Sequence, residues 1–268
     1  TAAAYGGAVF YYSTNCAELI ERGATDADPN CWVVASDLAF TNNTAGADGG
    51  AVYYETSTNS GIRLHRVAFE RNHALGEPPE DVGMTWYPTQ RERNPCLEPF
   101  GAQSEAWGLG GAVYASVQSY GNIYIKNATF SRNSARVAGG ALHLCAHADS
   151  SERRSVARLS NCSFTDNWAG GGGGGGGGGV TTPASRGGAL HAAGRFLETG
   201  LQASLLARNR AGGGGAVHWD VQDGALVLAA WDTAEIMTDF GAEVYGWPFS
   251  HWPDVYKARR TLPTSDAE

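Results

Sequence analysis

Apolar and polar residues alternate with a period of two in short stretches along this chain, and the alternation breaks at fixed places. Such stretches mark strands with one buried face. The clearest register is anchored on Phe40, Phe69, Phe130 and Phe164, with Leu206 as a variant. Five positions before each anchor stand Ala35, Leu64, Ile125, Leu159 and Leu201, and two before it stand Leu38, Val67, Ala128, Cys162 and Ser204. All ten are expected to face inward. The three-residue step between the two inward positions interrupts the alternation, as a bend between two strands does. Helical periodicity is absent, which disfavours an α-solenoid.

The anchors belong to a longer repeat. Three positions after each stands Asn43, Asn72, Asn133, Asn167 or Asn209, and two further on stands Ala45, Ala74, Ala135, Ala169 or Ala211. Gly-Gly-Ala then follows, at Gly6, Gly49, Gly110, Gly139, Gly187 and Gly214. Asn tolerates a left-handed backbone, so the Phe-x-x-Asn turn is placed on it, and stacked Asn side chains would form a ladder. Gly-Gly marks a second corner where a Cβ would crowd. One coil per repeat, each stacking parallel strands on the last, satisfies the backbone groups. The predicted fold is all-β: a right-handed parallel β-helix of about six to seven coils with long loop insertions. It is assigned to residues 1–246, interrupted at 11–31, 75–108, 146–154 and 170–186. Residues 247–268 read as a C-terminal extension or a link to a following domain, and Trp231 as a decayed Phe position.

These motifs resemble the repeats of chlamydial polymorphic outer membrane proteins, a class of adhesin passenger domains. They are similar also to repeats in large surface glycoproteins of green algae and other protists, whose style the Gly run and Ala/Arg-rich loops follow more closely. The resemblance spans roughly residues 5–246 and departs from the bacterial pattern in the insertions, the sequons and Leu206. It implies a structural, adhesive or assembly role rather than an enzyme.

Composition adds localisation and little chemistry. The formal net charge is −8 and no basic run is present, so no nucleic acid is expected as partner. No stretch approaches the roughly 18 apolar residues of a membrane span. The chain opens inside a repeat, which reads as a piece of a longer protein. Asn42, Asn127 and Asn161 stand in glycosylation sequons, giving covalent N-glycans and a secreted or cell-surface location. Of five cysteines, Cys16 with Cys31 and Cys145 with Cys162 flank two insertions and are expected to pair locally. Cys96 is left to pair outside the fragment. Gly170–Gly179 reads as a floppy tether, and the aromatic residues of 75–108 as a loop packed on its coil or docking a partner.

Alignment of the repeats gathers no carboxylate cluster. The column around Asp166 is Asn42, Arg71, Arg132 and Arg208, a basic stripe read as solvated turns or an acidic-glycan contact. A second column, two residues after each Gly-Gly-Ala, is Phe10, Tyr53, Tyr114, His143, His191 and His218. It reads as continuous ring stacking, with shared metal binding or joint titration of the histidines as the sharper alternative. No catalytic residue, metal or cofactor is assigned. The leading expectation is a non-catalytic structural or adhesive module. Its partners are other proteins of an extracellular assembly, homo-oligomers included, at a ciliary surface or cell wall. The alternatives are a carbohydrate-binding or polysaccharide-cleaving β-helix, with Tyr53, Tyr54, Tyr114 and Tyr120 stacking on sugars, and the extracellular region of a membrane receptor or channel-associated protein.

Overall fold

A computed structural model describes residues 5–13, 32–56, 60–77, 107–148, 153–170, 185–211, 215–222, 225–229 and 244–246. The first coil holds β1 (Val9–Ser13), β2 (Trp32–Ser36), β3 (Ala39–Thr41) and β4 (Thr44–Ala45). The second holds β5 (Val52–Thr56), β6 (Gly61–His65), β7 (Ala68–Glu70) and β8 (His73–Ala74). The third holds β9 (Val113–Gln118), β10 (Asn122–Lys126), β11 (Thr129–Ser131) and β12 (Ser134–Ala135). The fourth holds β13 (Leu142–His147), β14 (Ser155–Ser160), β15 (Ser163–Thr165) and β16 (Trp168–Ala169). β17 (Leu190–Arg195), β18 (Leu197–Gln202) and β19 (Leu205–Ala207) follow, then β20 (Val217–Gln222), β21 (Ala225–Ala229) and β22 (Val244–Gly246).

Equivalent strands of successive coils pair in parallel. The result is four stacked sheets of seven, six, five and four strands, called here sheets I to IV in the order the chain visits them. This is a parallel β-helix, and the predicted register is the observed one: Phe40, Phe69, Phe130, Phe164 and Leu206 stand in line. Neighbouring Phe rings stack at 5.0, 4.9 and 4.6 Å between centroids. Alternate residues of sheets I and II meet them, so Val113, Leu142 and Leu190 share one core with Ile62, Ile123 and Leu159. Among the described residues no helix is long and apolar enough to cross a membrane.

The corners differ from the sequence expectation in one respect. The left-handed residue of the Phe-x-x-Asn turn is the one before the Asn: Asn42, Arg71, Arg132, Asp166 and Arg208 have φ between 54° and 56°. A second left-handed column, Asp37, Arg66, Asn127, Asn161 and Ala203, joins sheets II and III. Non-glycine residues pay strain there, yet the interstrand ladder is not interrupted. The Arg71 N–H still donates to the Ser131 carbonyl, and the Arg66 N–H to that of Lys126. The third corner uses glycine twice for different reasons. Gly139 takes a φ of 62°. Gly140 faces the next coil so closely that a Cβ would lie 2.1 Å from the Gly188 carbonyl oxygen.

Two further expectations are corrected. Leu38 is not buried but 47% exposed, because it sits on the first described rung, with a described neighbour on one side only. β1 runs to Ser13 and β13 to His147, so strand continues past the expected starts of the insertions at 11 and 146. The chain on either side of the 75–108 insertion comes together. A Cβ on Gly76 would lie 2.5 Å from the Trp107 carbonyl oxygen, and buried Asp48 accepts from the N–H groups of Gly108 and Leu109 at 2.9 Å each. Most of that insertion, Gly171–Gly179, Trp231 and residues 247–268 lie outside the described residues.

Candidate functional site

The Asn of each repeat points into the helix and is buried from Asn72 to Asn209. Asn133 shows the full pattern. Its Oδ1 accepts from the backbone N–H and the side-chain amide of Asn72 at 3.0 and 2.9 Å. Its Nδ2 donates to Asn167 Oδ1 at 3.0 Å and to the Phe69 carbonyl at 3.1 Å. The same bonds link Asn43 to Asn72 and Asn167 to Asn209. A buried amide is tolerated only when fully bonded, and a stack of identical amides meets that condition. From Asn72 to Asn167 the amides are bonded within the stack and to backbone carbonyls, so this part of the ladder is a structural element.

The second column also stacks: Phe10, Tyr53, Tyr114, His143, His191 and His218 lie in register on sheet I. Centroid separations from Phe10 to His218 are 5.2, 4.8, 5.2, 4.9 and 5.4 Å. These rings point away from the core, yet all but Phe10 are buried. Tyr5, Ala47, Leu109 and Ala138 pack with Tyr53 and Tyr114 in a satellite cluster. The Nδ1 atoms of His143 and His191 face each other at 3.0 Å, so one carries the shared proton and the other accepts it. The expected sugar platform of Tyr53, Tyr54 and Tyr114 is overturned, because the satellite cluster covers two of these rings and Tyr54 belongs to the inner core. Of those four tyrosines Tyr120 is exposed, at 42%.

The predicted cysteine pair is corrected too. Cys162 is a buried free thiol facing the core from the position two before Phe164. Cys145 lies on the other side of its sheet, packed with Ala193. The two side chains therefore face opposite ways, and Cys145 is disulfide-bonded while Cys162 is not. Burial pushes the Cys162 thiol up to about 11. Cys16, Cys31 and Cys96 lie outside the described residues.

The sequon asparagines occupy corners rather than sheet faces. Asn42 and Asn161 are exposed and Asn127 is half-buried. Asn161 Nδ2 donates to Asn127 Oδ1 on the adjacent rung at 2.8 Å.

The corner arginines are not a free basic stripe. Arg208 makes a two-pronged pair with Asp166 at 2.7 and 2.8 Å. Arg71 pairs with Glu70 at 2.7 Å, Arg132 lies 3.7 Å from the same carboxylate, and Arg66 pairs with Asp37. The Arg208 hydrogen bonds, outweighing burial, hold the Asp166 carboxyl below its ordinary range, and Arg71 does the same for Glu70. Sequence alignment across rungs lined up Arg71, Arg132 and Arg208 but missed Glu70, their neighbour along the strand.

Sheet II has a different outer face. Trp32, Arg63, Tyr124, Lys126 and Arg158 project from β2, β6, β10 and β14, and no residue type is kept from one rung to the next: the column through Arg63 reads Val34, Arg63, Tyr124, Arg158. The Trp32 and Tyr124 rings are parallel, 5.9 Å apart, and the Arg63 guanidinium lies 4.1 Å from the Trp32 centroid.

Fold and corners together define a β-helical repeat protein whose repeated residues build the coil. The family model of the Chlamydia polymorphic membrane protein repeat matches residues 37–55. That segment runs from the left-handed Asp37 through Phe40, Asn43 and Gly49-Gly50 to the outer Tyr53, so it spans every corner of one coil that repeats. Comparison with curated proteins and with solved structures returns no match.

Proposed function

We propose that this chain is a non-catalytic structural and adhesive module of a larger secreted or cell-surface glycoprotein. The observation that carries the reading is the match to the surface-protein repeat over residues 37–55, on positions that recur through the described coils. The chemistry that recurs from coil to coil is taken up by the ladder, the Phe stack and the glycine corner. The carboxylates of Glu70, at the end of β7, and of Asp166, at the following corner two coils on, are held in arginine pairs, an arrangement suited to a rigid rod rather than to proton transfer. Asn42, Asn127 and Asn161 carry N-glycans in this reading, and a ciliary-surface or cell-wall assembly is the setting it fits.

The test is antibody labelling of intact cells that make the protein, combined with its mass before and after N-glycosidase treatment. Labelling without permeabilisation and a mass loss on deglycosylation are expected. Labelling that requires permeabilised cells, with no mass change, overturns the proposal.

A further inference from the structure

We infer that the outer face of sheet II is a docking surface for an acidic polysaccharide, bound through sugar stacking on Trp32 and Tyr124 and through ion pairs to Arg63, Lys126 and Arg158. The inference deepens the adhesive reading above and rests on it, by naming the ligand class.

Charge is the first argument. In a chain of net charge −8, three cations stand on the outward positions of β6, β10 and β14 and all three are exposed. None of them makes an ion pair among the described residues, whereas Arg66, Arg71, Arg132 and Arg208 at the corners each sit within 4 Å of a carboxylate. The outer face of sheet II thus carries three cations against one outward carboxylate, Glu198 of β18, and this net positive face attracts an anion.

Geometry is the second. Arg63, Tyr124 and Arg158 are register partners on successive rungs, so the backbones that carry the two arginines stand two rungs, about 9.6 Å, apart. Two sugar residues of an extended chain cover a comparable length. An anionic group on alternate sugars would therefore meet Arg63 and Arg158 in turn, with the intervening sugar over Tyr124. Cation and ring are already assembled: the Arg63 guanidinium lies 4.1 Å from the Trp32 centroid and 5.8 Å from that of Tyr124. Stacking of this kind fixes the planar donor fork for two-pronged recognition of a carboxylate or sulfate. Gly61 makes room for the indole, since a Cβ there would lie 2.4 Å from Trp32 Cζ3. Val34, 66% exposed in the same column as Arg63, adds apolar surface for a sugar face.

The experiment is calorimetric titration of the purified chain with four probes of matched length: an oligogalacturonate, a sulfated dextran oligosaccharide, a neutral cello-oligosaccharide and poly-glutamate. At least one acidic oligosaccharide is expected to bind, more weakly as salt is raised, and the neutral one not to. Which of the two binds separates a carboxylated from a sulfated ligand. Arg63→Ala and Arg158→Ala should each lower affinity about tenfold, with unchanged circular dichroism and melting temperature. Trp32→Ala should weaken the oligosaccharide but not poly-glutamate. Absence of binding by both acidic oligosaccharides overturns the inference, as does affinity unmoved by the arginine variants. Poly-glutamate binding as tightly as the sugars, with no effect of Trp32→Ala, overturns it in favour of an acidic protein partner. Each of these outcomes leaves the surface-module reading standing if intact cells are still labelled, so the two fail separately.

Discussion

Replacement of Asn133 by alanine isolates the energetics of the ladder. The substitution removes four hydrogen bonds, two donated by Asn133 Nδ2 and two accepted by its Oδ1. It leaves the Asn72 backbone N–H, one Asn72 amide hydrogen and the Phe69 carbonyl buried without those partners. An orphaned buried polar group costs about 1–3 kcal/mol, so the expected loss is roughly 3–6 kcal/mol after partial relaxation. Asn43, at the end of the ladder, is the internal control. Its backbone N–H bond to Asn72 Oδ1 survives in Asn43→Ala, and the one bond lost is from Nδ2. The expected cost there is about 0.5–1.5 kcal/mol. Urea unfolding followed by circular dichroism and by tryptophan fluorescence measures both, and coincident transitions license the comparison. Equal losses in the two variants, or a loss below about 1 kcal/mol for Asn133→Ala, would refute the claim that the ladder acts as a bonded stack.

Further expectations follow from single residues. Gly140→Ala forces a Cβ to 2.1 Å from one backbone atom and 2.5 Å from another, and is expected to cost more than about 4 kcal/mol or to abolish folding. Gly200→Ala, with nothing within 4 Å, should stay within about 0.5 kcal/mol of the parent. Circular dichroism melts of the pair decide it, and a stable Gly140→Ala would contradict the close approach. Phe130→Leu, which copies the natural Leu206, should be tolerated at about 1 kcal/mol, whereas Phe130→Ala should cost about 3–5 kcal/mol in the same unfolding assay. The Asp166 carboxyl is held low by Arg208, so its stabilising pair is fully present above the ordinary carboxylate range and is lost as pH falls below about 4. For so exposed a pair the loss is under about 1 kcal/mol, and Asp166→Asn should abolish that part of the acid dependence. A pair that weakens instead between pH 7 and 5 would be inconsistent with this direction. Buried Cys162, its thiol raised to about 11, should resist alkylation at pH 8 in the native protein and react after denaturation. Peptide mass mapping reads the difference, and rapid native labelling would place the thiol outside the core.

The coil was legible in the sequence wherever one residue type alone meets a steric demand on every rung. Phe stacks on Phe, Asn bonds Asn, and a glycine such as Gly140 is the one residue that clears the next coil, so each leaves a column in the alignment. Conformation without such a demand was not legible. The left-handed corner fell on Arg71, Arg132, Asp166 and Arg208, one residue before the position expected, because the ladder, not the backbone angle, requires the Asn. Burial on the outer side was misjudged for a related reason. Alternation tells which way Tyr53 and Tyr114 point, but not that Leu109 and Ala138 lie over that side. The cysteines illustrate it again: Cys145 and Cys162 are near in sequence, but Cys145 takes an outward position of β13 while Cys162, at the corner before β15, faces the core. The Trp32, Arg63 and Tyr124 face had no repeat signal at all, since it joins three different residue types from three rungs.

The stacking of one repeat on the next is tested most directly by a distance measured across rungs. Thr41 and Ala207 occupy equivalent outer positions of β3 and β19 and are separated by four rung steps through Glu70, Ser131 and Thr165. Spin labels on Thr41→Cys and Ala207→Cys, read by pulsed dipolar electron resonance, should give a narrow distribution centred near about 19 Å, plus the label arms. A broad distribution, or a mean beyond about 35 Å, would contradict the coil, since four parallel rungs at strand spacing cannot span it.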